Sequence, residues 1–430
     1  MDIAAYSAPD VTTWMQRSAE VGARRVRVNV FWAQVAPTAP TGDAAADPAW
    51  SGYQFAAFDA QVRAAVAAGL EPYVNVSRAP AWAEGGGRRA GVGPGSWKPD
   101  VSAFGRFMTA VARRYSGSFV DPATGQTLPR VRAFQIWNEP NLDTYLAPQW
   151  EDGKPWAPER FRELVNAGYA AVKAAQANAT VATAGLAPFG DYGTTDGKRL
   201  PPVRFLRSML CLDDDLQRTC KRTARFDVLA HHPYAVRAPS KGARNPDDVT
   251  IPDLGRLTAV TKAARKAGTI RRTPKLWVTE VSYDSSPPDP DGVPTARLAR
   301  WTAELLWRLW RQGAETVIWY LVRDAPPTPT YAASYQSGMY LLDGTRKASA
   351  QAFRFPLVVT GRSSRKLRVW LRSPVAGRAQ LQIRRGGRWR GVGSVSVRAD
   401  GVRTVQVPRG GTTAVRAVVG GEASPAWSVG

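Results

Sequence analysis

Arg130-Val131-Arg132-Ala133-Phe134-Gln135-Ile136-Trp137 runs directly into Asn138-Glu139-Pro140-Asn141. The first eight residues have the β-branched and aromatic content of a strand, and Pro140, which has no N–H for a ladder, stops it. An amide and a carboxylate are thereby left at the carboxyl end of a strand. In parallel βα barrels that end carries the catalytic groups.

Working outward, similar short runs recur at 24–30, 71–76, 180–185, 226–230, 275–279 and 316–321, making seven strand candidates in all. Between them lie helical patterns at 55–68, 101–115, 158–177, 254–267 and 295–311, with Gly69, Gly268 and Gly313 where a left-handed C-cap would fall. Alternation of this kind predicts βαβ units around a parallel sheet. Seven strands with a helix before the first of them predict a (β/α)8 TIM barrel whose first strand is missing or truncated. An upstream start supplying that strand and a secretion signal would account for both the exposed edge and an opening, residues 1–6, without a basic or apolar leader.

After Ser349 the texture changes to alternating runs separated by glycine-rich turns, such as LRVWLRS, AQLQIRR and VRTVQVP. This predicts a small all-β sandwich, giving two units, a barrel over 1–355 and a sandwich over 356–430. Phe353-Arg354-Phe355-Pro356-Leu357 joins them without a flexible spacer, so the sandwich is expected to pack on the barrel.

The chain of 430 residues is 44% hydrophobic, as in an ordinary globular protein, and has no apolar run of membrane-spanning length. Its formal net charge is +23, and residues 351–430 hold fifteen Lys or Arg against two Asp or Glu, a net of 15 − 2 = +13. That excess would suit an anionic polymer held by the carboxyl-terminal unit, although arginine-rich surface drift is the preferred reading. Nucleic acid is not expected as a partner, because no reader motif accompanies the charge. Cys211 and Cys220 enclose a short polar segment and are expected to form a disulfide worth roughly 2–3 kcal/mol, which implies an oxidising compartment. An extracellular or cell-wall-associated monomer is the corresponding expectation. The adjacent histidines His231 and His232, with no second cysteine pair, argue against zinc.

A second strand, Lys275-Leu276-Trp277-Val278-Thr279, ends in Glu280. Cleavage of an acetal needs one acid to protonate the leaving oxygen and one carboxylate to stabilise or trap the anomeric carbon. Two glutamates on one barrel rim meet that need with neither metal nor cofactor. Either could equally be a surface residue or half of a structural ion pair.

WNEPN, from Trp137 to Asn141, resembles the fourth-strand signature of clan A glycoside hydrolases, and LWVTEVSY, from Leu276 to Tyr283, resembles their seventh-strand signature. The resemblance covers roughly residues 10–355 and is nearest to cellulase-like and family 39-like members. It implies Glu139 as acid/base, Glu280 as nucleophile, retention of configuration, and Asn138 on the substrate 2-hydroxyl. It also implies Arg27 beside the nucleophile, Tyr234 hydrogen-bonded to it, His232 orienting the acid/base or a sugar, and a strand-end aromatic under the sugar, for which Trp319 is chosen over Tyr320. Arg25, Arg27 and Asn29 share the strand face opposite the valines, and a buried arginine requires a carboxylate, so Arg27 is paired with Glu280. Trp82 is a candidate for a further subsite. The strand ending Val74-Asn75-Val76-Ser77-Arg78 lacks the histidine of the commoner cellulase pattern, which leaves the sugar undefined. A carbohydrate-binding protein without activity and a transglycosylase are the alternatives to a hydrolase.

Overall fold

The computed structural model describes residue 1 and residues 10–429. Residues 2–6, read above for a leader, lie outside the described residues. No helix among the described residues is long and apolar enough to cross a membrane.

Seven parallel strands make one curled sheet: β1 (Arg25–Phe31), β2 (Glu71–Ser77), β3 (Ala133–Ile136), β4 (Thr180–Ala182), β5 (Val228–His231), β6 (Lys275–Val281) and β7 (Ala314–Trp319), hydrogen-bonded in that order. All seven sequence-predicted strands are present, with ends moved by a few residues. The largest change is at β3, which is shorter at both ends than expected and stops before Trp137, whose φ of 72° cannot continue a strand.

Helices α1 (Val11–Glu20), α2 (Ala56–Ala67), α3 (Val101–Arg114), α4 (Ala157–Ala175), α5 (Pro202–Met209), α6 (Gly255–Lys266), α7 (Thr295–Arg311) and α8 (Ala348–Arg354) accompany the sheet. Gly69, Gly268 and Gly313 follow α2, α6 and α7 at positive φ, the conformation that ends a helix without a Cβ clash.

The sheet curls far enough for Arg25 on β1 to donate a hydrogen bond to Thr316 Oγ1 on β7 (3.0 Å). Along the outer edge of β1, the Met1 amino group donates to the Arg25 carbonyl and the Met1 carbonyl accepts from Arg27 N–H, so one buried residue stands where a further strand would run. Inside the barrel, Tyr73, Ala133, Ala182, Val228 and Trp277 form a separate apolar cluster. Above it lies a polar layer. Asn75 Nδ2 donates to Asn29 Oδ1 and Gln135 Nε2 donates to Asn75 Oδ1, both at 2.9 Å. Strand alternation explains this segregation, since residues two apart point to the same side.

After Pro356 the chain forms two antiparallel sheets. One contains β8 (Leu357–Arg362), β9 (Lys366–Arg372) and β12 (Val402–Pro408). The other contains β10 (Gly377–Arg385), β11 (Arg388–Val397) and β13 (Ala414–Val419), extended by two short strands. Their inward residues, among them Leu367, Val369, Leu381, Ile383 and Val415, belong to the same buried cluster as the helices around the barrel. Ion pairs seal the junction: Arg354 on α8 with Glu422 (2.5 Å) and Arg24 with Asp400 (2.6 Å). Trp310 on α7 packs on Trp370 of β9, and Arg300 lies over the Trp427 ring. Cys211 and Cys220 are joined in a disulfide after α5.

Candidate active site

The turn after β3 is strained. Trp137 and Glu139 hold φ of 72° and 36°, a conformation that costs on the order of 1–3 kcal/mol per residue unless neighbours enforce it. They do so here. Gln135 Nε2 donates to the Trp137 carbonyl (2.9 Å), Trp137 Nε1 to the Tyr145 carbonyl (2.8 Å), and Glu139 N–H to the Gly185 carbonyl (3.1 Å). Asn141 is fully buried and ties this turn to the segment after β4 through the Ala187 and Leu200 carbonyls.

Glu139 and Glu280 come from β3 and β6, yet one carboxylate oxygen of each, together with a His232 ring nitrogen, lie within 4.8 Å of one another. His232, completely buried at the end of β5, is 2.8 Å from Glu139 Oε1 through Nδ1 and 3.1 Å from Thr279 Oγ1 through Nε2. Nδ1–H donating to the carboxylate and Nε2 accepting from the threonine satisfies both nitrogens of a neutral imidazole. Gly185 makes room for this ring, since a Cβ there would collide with it and lie 2.7 Å from Thr279 Oγ1.

Glu280 is held on both oxygens. Arg27 donates to Oε1, and the Tyr234 hydroxyl donates to Oε2 at 3.0 Å. Burial pushes the Glu280 carboxyl up, but the Arg27 guanidinium and the hydrogen bonds from Arg27 and Tyr234 outweigh it, so the carboxyl is held below its ordinary range. Burial beside the two glutamates pushes the Tyr234 hydroxyl well above its usual value, so it stays a donor. The neighbouring His231 is a different case. Its Nε2 bonds the Val249 carbonyl (2.9 Å), and burial lowers its pKa to about 3, which keeps it neutral.

These groups open into a cleft of about 1180 Å³ lined by Arg27, Asn138, Glu139, Tyr234 and Glu280. Asn138 is buried, and its Oδ1 has no partner within the protein, which leaves it able to accept from a ligand hydroxyl. The sequence reading passed over Tyr145, Tyr335 and Arg78 and set Tyr320 aside for Trp319, yet all four line the cleft. Tyr145 and Tyr335 feel both glutamates electrostatically, and burial raises each hydroxyl pKa. Arg78, at the end of β2 with φ 64°, stacks over the Tyr145 ring at 4.3 Å. Tyr335 lies in a segment with no recognisable motif; for Arg78 the missing histidine was the available signal.

Two aromatic expectations require correction. Trp319 is fully buried, donates Nε1–H to the Ser337 carbonyl (2.7 Å) and packs on Phe353, so it is core and does not line the cleft; Tyr320 does. Trp82 also stands off the cleft, bonded to the Ala36 carbonyl (2.8 Å) and edge-on to Trp32.

Glu139, His232 and Glu280 are close enough to share a cation, but the Arg27 charge on Glu280 would repel it. Two carboxylates at this separation, one of them kept ionised, can instead deliver a proton to a leaving oxygen and an anionic oxygen to the carbon it leaves.

No protein-family model matches the chain, and no curated protein matches its sequence. Solved structures do. A family 39 glycoside hydrolase from Bacteroides cellulosilyticus WH2 superposes with a TM-score of 0.59 at 16% identity, over 95% of this chain and 80% of that one. A glucosidase from Croceicoccus marinus gives 0.54 at 14% identity, over 94% and 90%. A GH39 enzyme from Xanthomonas axonopodis pv. citri gives 0.51 at 16% identity, over 93% and 88%. The likeness is one of fold, a curled parallel βα sheet followed by an antiparallel β unit.

Proposed function

We propose that the chain is a retaining glycoside hydrolase acting on O-glycosidic bonds of an oligo- or polysaccharide. The observation that carries the reading is the close approach of Glu139 and Glu280 in one cleft, with Arg27 and Tyr234 holding the second carboxylate ionised.

In the first step the Glu139 carboxylic acid gives its proton to the glycosidic oxygen. The Glu280 carboxylate attacks the anomeric carbon, the carbon–oxygen bond breaks, and a glycosyl ester forms as the alcohol leaves. In the second step the Glu139 carboxylate takes a proton from water, the water oxygen attacks the same carbon, and Glu280 is released. Each group ends as it began. Asn138 bonds the substrate 2-hydroxyl, His232 fixes the Glu139 carboxyl, and Tyr320 supplies the aromatic wall.

The division into a catalytic barrel over 1–355 and a β unit over 356–430 belongs to the same proposal, supported by the change from parallel to antiparallel sheet after α8. Export is supported by the disulfide, since such bonds persist in oxidising compartments.

A panel of chromogenic aryl glycosides identifies the sugar. Glu280→Ala is expected to lose about 10³-fold or more in turnover. Azide restores it by attacking the anomeric carbon in place of the missing carboxylate, giving a glycosyl azide of inverted configuration. A Glu280→Ala protein as active as the parent would overturn the proposal.

A further inference from the structure

The carboxyl-terminal unit has two acidic residues, Asp400 and Glu422, and both face the barrel junction, where Arg24 and Arg354 neutralise them. The outward face of its larger sheet is built differently. On β10, Ala379, Leu381 and Ile383 point inward, so Arg378, Gln380, Gln382 and Arg384 point outward. Register adds their neighbours on the same face: Ser396 opposite Arg378, Ser394 opposite Gln380, Trp389 opposite Arg384, and Arg416 on β13 opposite Gln382.

Among the described residues, the hydrogen bonds of these arginines go to neutral groups. Arg378 donates to Ser394 Oγ (2.7 Å), Arg384 to the Gly387 carbonyl (3.2 Å) and Arg416 to Gln382 Oε1 (2.8 Å), while the Arg416 guanidinium lies 4.3 Å from the Trp389 ring centroid. Neither acidic side chain of the unit stands on the face. Arg384 and Arg416 thus flank a half-buried indole, and Arg378 stands farther along the same face beyond two amides, with no acidic side chain beside them among the described residues.

We propose that this face binds an acidic polysaccharide, one carrying carboxylates or sulfates. Guanidinium forks pair with such groups bidentately, and an indole face suits the C–H side of a sugar ring. Gln380, Gln382 and the serines supply hydrogen bonds to hydroxyls. Arg378 and Arg384 stand roughly 20 Å apart along the strand at about 3.3 Å per residue, enough to span several sugar units. The preference for a glycan over nucleic acid rests on the hydrolase reading of the barrel: a polymer held by the β unit raises the local concentration of bonds for the cleft.

The test uses the full chain and measures its affinity for polygalacturonate, heparin, neutral xylan and duplex DNA at two salt concentrations. Binding to at least one acidic glycan, tighter than to xylan and DNA and weakened by salt, is expected. Trp389→Ala and, separately, Arg378→Glu/Arg384→Glu should each weaken it tenfold or more, while hydrolysis of a small aryl glycoside stays at the parental rate. The charge-reversed pair touches only exposed side chains, so it reads the face even if the tryptophan variant folds poorly. No binding to either acidic glycan, unchanged binding by the charge-reversed variant, or tighter binding to DNA would overturn the proposal. Acidic-glycan binding by a chain that cleaves no glycoside would leave this inference standing and remove the catalytic one.

Discussion

His232 Nδ1 lies 2.8 Å from Glu139 Oε1, with the ring held from behind by Thr279 and packed where Gly185 leaves no side chain. The carboxyl proposed to protonate the leaving group is therefore fixed by a group that does not line the cleft. His232→Ala is expected to lower kcat about 10²-fold for substrates with poor leaving groups. Dinitrophenyl glycosides, which depart without a proton, should lose far less. Equal losses on both substrates would remove this positioning role.

Gly185→Ala tests the same arrangement without replacing an ionisable group. The new Cβ would displace the imidazole, so kcat should fall about tenfold or more with KM little changed. A melting temperature near that of the parent would show the loss to be local.

Tyr234→Phe removes one of the hydrogen bonds that hold the Glu280 carboxyl low. The Glu280 value then rises, so the acid limb of the kcat/KM profile should move to higher pH. The sign for stability follows from the same depression. In the parent, Glu280 stabilises the fold above its unfolded value of about 4.3, and that contribution is lost as pH falls through the lower folded value. An acid limb that stays in place would show that another group sets it.

Asp284 behaves in the opposite way. Burial raises its pKa to about 6, and its Oδ1 is buried without a partner. Between its ordinary value and about 6 the folded state holds a proton the unfolded chain has released, so folding is penalised progressively as pH rises through that window. Asp284→Asn should be more stable than the parent by on the order of 1–2 kcal/mol at pH 7.5, after discounting for partial exposure, and indistinguishable at pH 3.5. Denaturant melts at the two pH values check this.

The parallel sheet was legible in the sequence because five of the seven strands are short apolar runs followed by a helix with regular apolar spacing, whereas α5 and α8 are too short to show a period. WNEPN and LWVTEVSY stood out through their resemblance to the strand signatures of clan A glycoside hydrolases, since a carboxylate at a strand end reads equally as a surface residue. Trp319 misled because the residue that meets the cleft depends on how β7 ends, and there the side chain turns inward to bond Ser337. Tyr145 and Tyr335 escaped notice because loops carry no periodicity, and their approach to the glutamates exists only once the barrel has closed. The outward arginine face was hidden for a related reason: alternation predicts which residues share a side, whereas the location of Asp400 and Glu422 at the junction depends on tertiary packing.

The most direct measurement of the central claim is the anomeric configuration of the first sugar released, followed by proton NMR, combined with mass spectrometry of the protein after reaction with a 2-deoxy-2-fluoro glycoside of the preferred sugar. Product of the same configuration as the substrate, and a glycosyl adduct on the peptide containing Glu280, are the predicted results. Product of inverted configuration, or an adduct on a different carboxylate, would contradict the account.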